Sequence, residues 1–369
     1  MKEDELKLPF YAKATIFLIG FFALFTILYL AKNIVVPLVF ALIIAILLHP
    51  VVNFFVRIKI NRVVAIAITL ILTFLAIIAF CTLVFSQVSR FSESWPVLVE
   101  KFTSIINETI SDGADYFHKD PQKIHEWITK TQGDLINTSS AAIGQTLVIV
   151  GNLLVVVFLL PVYIFLILFY QPLLLEFIHK VFGADNHSQV SEIVTRIKTV
   201  IQRYLVGLVI EAAIVATLDT AALLILGIDY ALLLGILGAL LNVIPYIGGL
   251  VAVAMPMVVA IVTKSSPLYA IYVMIAYYII QLIDNNYIVP YIVASKVKIN
   301  ALFSIIVVLV GNAIWGIPGM FLAIPLLAIV KLICDYIEPL KPWGFLLGDT
   351  MPPLLKITEI IKIIKIKSK

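Results

Sequence analysis

The stretch from Gly227 to Val262, GIDYALLLGILGALLNVIPYIGGLVAVAMPMVVAIV, limits what this chain can fold into more than any other. Asp229 is its one charged residue, and Asn242, Pro245, Gly248 and Gly249 interrupt its middle. A continuous helix of the 34 residues from Asp229 to Val262 would be roughly 51 Å long, against a hydrocarbon core of about 30 Å. One straight crossing fits badly. Two half-helices meeting at a Pro-Gly tip fit better, and irregular backbone at that depth survives only where protein or a water-filled cavity covers it. The stretch therefore points to a transport site.

The rest of the chain agrees with a membrane setting. Its 369 residues are 62% hydrophobic and 13% charged, which predicts an all-α polytopic membrane protein. The formal net charge of +4 is small and argues against a nucleic-acid partner; the lipid bilayer is the expected one. Cys81 and Cys334 both lie in apolar runs and supply neither a disulfide framework nor a metal cluster. The N-terminal MKEDELKLPFYAK leads into an apolar run without an A-x-A-like cleavage site, so a retained first transmembrane helix is expected.

Apolar runs long enough to span cover about 14–31, 34–55, 63–85, 146–170, 204–227 and 268–290. Two longer runs, 229–262 and 301–334, are broken by Pro and Gly. The sequence thus divides into three N-terminal spans (1–85), a polar stretch (86–145), a fourth span with an amphipathic helix (146–202), a core of helix plus hairpin taken twice (203–336), and a basic amphipathic tail (337–369). The 86–145 stretch carries eight acids against five Lys/Arg and is expected to form a helical subdomain outside the bilayer. Lys2, Lys7 and Lys13 precede the first span, Arg57, Lys59 and Arg62 follow the second, and Lys180, Arg196, Lys198 and Arg203 follow the fourth. The positive-inside rule puts these groups, and both termini, in the cytoplasm. Residues 190–204 place Val190, Ile193, Val194, Ile197, Ile201 and Tyr204 on one helical face. They read either as a surface amphipathic helix or as a helix packed on its own protein, and the lysine-rich tail has the same two readings.

A shift of 70 residues registers the two broken runs. Asn242-Val-Ile-Pro-Tyr-Ile-Gly-Gly then lies over Asn312-Ala-Ile-Trp-Gly-Ile-Pro-Gly, and Glu211 lies over Gln281. If each hairpin enters and leaves on one side, the second unit starts opposite to the first. That is inverted-repeat topology, which places binding where half-helices meet near the midplane. Hairpins also put Lys296, Lys298 and the tail inside together, leaving Lys264 outside.

Polar groups inside apolar runs are the candidate site, because burying one costs several kcal/mol without a partner or water. Glu211 and Asp219 share nearly one helical face. Gln281, Asp284, Asn285 and Asn286 form a polar knot before Pro290. These six are expected to line a substrate or ion path, against the alternative of helix-helix hydrogen bonds or interfacial carboxylates. Asn242, Pro245, Gly248 and Gly249 mark one tip, and Asn312, Gly316, Pro318 and Gly319 the other. There an amide can satisfy freed backbone groups or face substrate. Soluble chemistry is unsupported: His125-Glu126-Trp127-Ile128-Thr129 lacks the second His of a zinc site, and neither a Walker-type loop nor a Gly-x-Ser-x-Gly elbow occurs. No catalytic residue, metal ligand or cofactor is assigned.

Several of these motifs together resemble the autoinducer-2 exporter (AI-2E) family. They are Gly227-Ile-Asp-Tyr-Ala-Leu-Leu-Leu-Gly, Leu241-Asn-Val-Ile-Pro-Tyr-Ile-Gly-Gly, Gln281-Leu-Ile-Asp-Asn-Asn-Tyr-Ile-Val-Pro and Gly316-Ile-Pro-Gly-Met-Phe-Leu-Ala-Ile-Pro-Leu. Val36-Pro37, Ala41 and His49-Pro50 match that family's early spans. The resemblance implies a bacterial inner-membrane secondary carrier, not an enzyme. It also implies a homo-oligomer, pentameric in members, with membrane-embedded hairpins and an elevator-like movement. The family's functions are export of the quorum-sensing signal autoinducer-2 and, in some members, Na⁺(Li⁺)/H⁺ antiport. This chain departs from the pattern at Asp284-Asn285-Asn286, where Glu-Gly-Asn is common, and at Asn300-Ala301, where His-Pro is common. The leading expectation is efflux of a small polar solute. The alternatives are antiport and, in another class, a non-transporting scaffold.

Overall fold

The computed structural model describes residues 9–117, 159–182, 187–243, 248–293 and 299–350. Pro245, the rest of the polar stretch, the start of the fourth apolar run, Lys296, Lys298 and the lysine-rich end of the tail lie outside them. Within the described residues the chain is an all-α polytopic membrane protein without a strand. Its order is α1 (Phe10–Leu30), α2 (Lys32–Arg57), α3 (Arg62–Phe117), α4 (Leu159–Phe169) and α5 (Gln171–Phe182). Then follow α6 (His187–Ile225), α7 (Ala231–Asn242), α8 (Gly248–Lys264) and α9 (Pro267–Ile283). A π-helical segment (Asp284–Val293) continues α9, and α10 (Ala301–Trp315), α11 (Ile317–Tyr336) and α12 (Lys341–Leu347) close the described fold.

Among the described residues, length and apolarity allow six helices to cross: α1, α2, α3, α6, α9 with its π segment, and α11. The pair of α4 and α5, bent by 62° where the fourth run ends, passes the same test together and makes seven if it is counted as one span. The 20-residue α11, expected as one arm of a broken run, is itself long enough to span. Apolar side chains on the outer faces are exposed, with Phe17 at 71% and Phe22 at 68%, as suits contact with hydrocarbon.

Two expected boundaries are not breaks. Helix α3 runs through residues 85 and 86 as one 56-residue helix, so the described part of the polar stretch extends the third span. Its far portion packs back onto the fold. Phe91 and Leu98 are buried with Leu223, Ile228, Leu233 and Val259, and the Tyr230 hydroxyl donates to Ser94 Oγ at 2.6 Å. Residues 190–204 likewise form the first half of α6, since nothing there breaks a helix. Ile201, Tyr204 and Leu205 are buried against α2 and α11, and Gln202 Nε2 reaches the Ile46 carbonyl at 3.3 Å. The observed state is packing on the chain's own protein.

The two broken runs fold as helical hairpins. A Cβ placed on Gly227, just before α7, would lie 3.0 Å from Lys264 Nζ at the end of α8, so the first hairpin returns to its starting level. The second closes through the Asn300 amide, which donates to the Leu347 carbonyl at 3.0 Å, and Asn300 Nδ2, which donates to the Leu346 carbonyl at 2.7 Å. Its last residue, Tyr336, meets the start of α6: Gln189 Nε2 donates to its carbonyl at 3.1 Å and its hydroxyl donates to Glu192 at 2.9 Å. The mouth of the first hairpin instead adjoins Ile225, at the other end of α6. The hairpins therefore open toward opposite ends of one helix. Their first helices start at Ala231 and Ala301, in the 70-residue register.

Close backbone approach holds the second hairpin shut. Added Cβ atoms on Gly319 and Gly311 would each strike the other's carbonyl oxygen, and the main chain cannot yield there. Gly319→Ala is therefore expected to destabilise the protein by about 1–3 kcal/mol through overpacking. Gly20→Ala, with nothing within 4 Å of its added methyl, should leave stability unchanged. Thermal exposure of the buried Cys334 thiol to a dye, in a Cys81→Ser background, measures both.

Candidate functional site

Tyr204, Leu208, Glu211, Val215 and Asp219 recur on α6 at spacings of three and four, so they form one face of that helix. Opposite it, Tyr277 and Gln281 on α9 and Asp284 at the start of the π segment form one face. Helix α7 descends between the two, and Gly238 and Asn242 complete the wall. These residues line one cavity of about 940 Å³. Glu211 is 6% exposed, and Asp219 and Asp284 are 2% exposed. No Lys, Arg or His lines the cavity, so among the described residues nothing of opposite charge faces these acids.

The end of α7 is tied to its neighbour. Asn242, its last residue, donates from Nδ2 to Asp284 Oδ2 at 2.9 Å, tying the first hairpin's tip to α9. Gly249, just past the tip, is packed so tightly that a Cβ would lie 2.6 Å from Gln281 Oε1. Gly238 does the same a turn earlier: its missing Cβ would lie 3.1 Å from Asp219 Oδ2 and 3.7 Å from the Tyr277 hydroxyl. Larger residues at either position would fill the polar cavity. Asp284 Oδ1 and the Tyr277 hydroxyl are buried, with no hydrogen-bond partner among the described residues. An unpaired acceptor in such a place costs on the order of 1–3 kcal/mol, which a solute, an ion or water entering the cavity would relieve.

Asp284 also begins the π-helical segment, whose wider turns are common where a helix serves a site. This segment packs closely on α6, since a Cβ on Gly207 would meet the Ile292 carbonyl oxygen at 2.6 Å. Val289, Val293 and Ile299 extend the cavity wall toward the second hairpin, which contributes Ser304 and Ile324, and Asp349 lies at that end.

The structure thus brings Glu211, Asp219, Gln281, Asp284 and Asn285 together with Asn242 and Gly249. Asn286 is exposed and turns back, donating from Nδ2 to the Leu282 carbonyl at 2.8 Å. Gly248 supports the first tip, where a Cβ would strike the Leu241 carbonyl oxygen. The second tip does not line the cavity. Asn312 is exposed, its carbonyl accepts from the Gly316 amide at 2.8 Å, and Gly316 turns the chain at φ +67°. Pro318 starts α11 at the exposed surface, and Gly319 packs on Gly311. The three buried acids do not converge as a metal site, and among the described residues no group of three His, Cys, Asp or Glu does.

Sequence reading overlooked Tyr204, Tyr277, Ser304 and Asp349. The first two had a legible signal: Tyr277 precedes Gln281 by four and Asp284 by seven residues, and Tyr204 precedes Glu211 by seven. Tyrosine in an apolar run is commonly read as an interfacial anchor. Ser304 and Asp349 reach the cavity only through tertiary placement.

A cavity between transmembrane helices, lined mostly by apolar side chains with buried acids and amides among them and bordered by a broken hairpin, suits a membrane transporter. Comparison with known proteins gives its family. The pattern of the AI-2E family transporter matches residues 16–338, and the chain belongs to this family of transporters. Similarity extends to the AI-2 transport protein TqsA of Escherichia coli K12, 23% identical over 330 residues, 86% of this chain and 90% of that one. YhhT of the same strain is 21% identical over 325 residues, covering 87% and 90%. YueF of Bacillus subtilis strain 168 is 30% identical over 152 residues, so that match spans only 41% of either chain.

The Asn242–Asp284 contact is open to a double-mutant cycle. Asn242→Ala and Asp284→Ala are expected to couple by about 0.5–3 kcal/mol, the span from a neutral hydrogen bond to one with a charged group. Thermal denaturation of the purified single and double variants measures it, and strict additivity would show the contact to be idle.

Proposed function

We propose that this protein is a secondary transporter that moves a small polar solute, of the autoinducer-2 kind, out across the bacterial inner membrane. The observation that carries the proposal is the cavity itself. It offers about 940 Å³ between two transmembrane helices and a hairpin tip, with acids and amides for hydrogen bonding. Glu211, Asp219, Gln281, Asp284 and Asn285 line the path, and the Asn242–Gly249 tip gates it. The second hairpin, with Asn312, Gly316, Pro318 and Gly319 at its turn, supplies the opposing arm, and Asn286 faces away. Re-entry of both hairpins into the bilayer is supported by their mouths lying at opposite ends of α6, the arrangement of an inverted repeat. The basic groups around Arg57, Arg62 and Lys198 support a cytoplasmic placement of that end. The subunits assemble as a homo-oligomer, pentameric as the family resemblance implies. The solute follows the name of TqsA, which is given as an AI-2 transport protein, and the outward direction is what the family resemblance implies.

One observation favours a second reading, Na⁺(Li⁺)/H⁺ antiport: three buried carboxylates face the cavity with no basic residue among its lining. A scaffold without transport finds less support. Its natural test was removal of 86–145, yet the described start of that segment packs on the mouth of the first hairpin, so removal would disturb the transport core too.

Proteoliposomes holding the purified protein, a trapped pH dye and autoinducer-2 separate these readings. Efflux that exceeds protein-free liposomes, and that falls at least tenfold in Glu211→Gln, is the expected result. Proton movement on adding Na⁺ without solute efflux would assign antiport instead. Full activity of Glu211→Gln in both assays would remove the cavity from the mechanism.

A further inference from the structure

A second polar cluster lies away from the cavity, at the Arg57 end of α2. His49 is half-buried there, among α2, α6 and the bend between α4 and α5. Lys198 Nζ lies 2.9 Å from its Nδ1 and 3.2 Å from its Nε2, and Asn53 Nδ2 lies 3.1 Å from Nδ1. Lysine only donates, so the imidazole nitrogen facing it carries no proton. Arg62 Nη2 donates to the Leu168 carbonyl at 2.7 Å and to Gln171 Oε1 at 3.1 Å. Gln171 thereby holds Arg62, as His49 holds Lys198. Two cations thus flank one imidazole and one amide.

Nothing described offsets their charge. The ion pairs among the described residues are Glu176–Lys180, Lys331–Asp335 and Glu338–Lys341, and none includes Lys198 or Arg62. Glu192 is occupied by the Tyr336 hydroxyl. The imidazole, amide and carbonyl contribute dipoles but no net charge. Two part-buried cations so placed are stabilised by an anion able to accept several hydrogen bonds at once.

The surroundings identify what carries that anion. Phe54 on α2 is 61% exposed, and Leu173 and Phe177 on α5 are 62% and 63% exposed. Helix α5 leaves α4 at 62° and buries none of its residues, the geometry of a helix lying along a bilayer surface. A charged niche next to exposed apolar side chains at that level matches a phospholipid, headgroup against the bases and acyl chains against the hydrocarbon faces. It does not match a free ion, which has no use for the apolar part.

We infer that Lys198 and Arg62, positioned by His49 and Gln171, bind the phosphate of an anionic phospholipid at the junction of α2, α6 and the α4–α5 bend. The lipid bridges α6, which carries Glu211 and Asp219, to α2. The inference is independent of which solute the cavity transports.

Native mass spectrometry of the purified full chain tests it, with phosphatidylglycerol and phosphatidylcholine of identical acyl chains. The expected result is about tenfold preferential retention of phosphatidylglycerol. Each of Lys198→Gln and Arg62→Gln should lower that preference about fivefold, the effect of one basic residue at a lipid surface. Lys198→Arg should keep most of it, and Lys264→Gln, at the other end of the bundle, should keep all of it. Should a Gln variant fail to fold, the thermal stabilisation of wild type and Lys198→Arg by phosphatidylglycerol over phosphatidylcholine decides the matter. An absence of preference, a preference unchanged in both Gln variants, or displacement of the lipid by millimolar inorganic phosphate would each overturn the proposal, the last by assigning a free-anion site.

Discussion

The hydrogen bond from Asn242 to Asp284 joins the two features on which the cavity depends, a helix that ends inside an apolar bundle and a carboxylate buried beside it. A buried acid leaves lone pairs unfilled, at a cost. The side-chain amide at the end of α7 fills one of them at 2.9 Å. Asp284 Oδ1 has no hydrogen-bond partner among the described residues, and it adds to the polar part of the cavity wall. Glycine at 238 and 249 keeps the space open, because a side chain at either position would occupy the room between α7 and α9.

The two hairpins share a register but not a use. The first ends in an amide that faces acids, and its tip borders the cavity. The second turns through Gly316 and is held by glycine backbone contact, with Trp315 Nε1 donating to the Leu28 carbonyl at 3.0 Å. Phe321 stacks on Phe40 of α2 with ring centroids 5.7 Å apart. One hairpin therefore presents its tip amide to a buried acid, while the other packs on α1 and α2.

Much of this was legible in the sequence because membrane physics leaves few choices. The over-long run at 229–262 and its Pro-Gly interruption implied a hairpin, and Glu211, Asp219, Gln281 and Asp284 stood out as polar residues in apolar surroundings. What escaped reading was decided by tertiary contact. Nothing between residues 85 and 117, or between 190 and 225, stops a helix outright, for Pro96 is accommodated within α3. The polarity change suggested boundaries that the backbone ignores. The unequal roles of Asn242 and Asn312 were hidden as well, since the same residue in the same register faces acids in one copy and the exterior in the other. Tyr277 was passed over because its face became meaningful only once α7 stood opposite it.

The unbroken length of α3 has a mechanical consequence. The helix continues past Pro96, and two residues before that proline Ser94 ties it to the entrance of the first hairpin. A displacement of this part of α3 is therefore felt at the hairpin's root, and by thermodynamic reciprocity a displacement of the root is felt along α3.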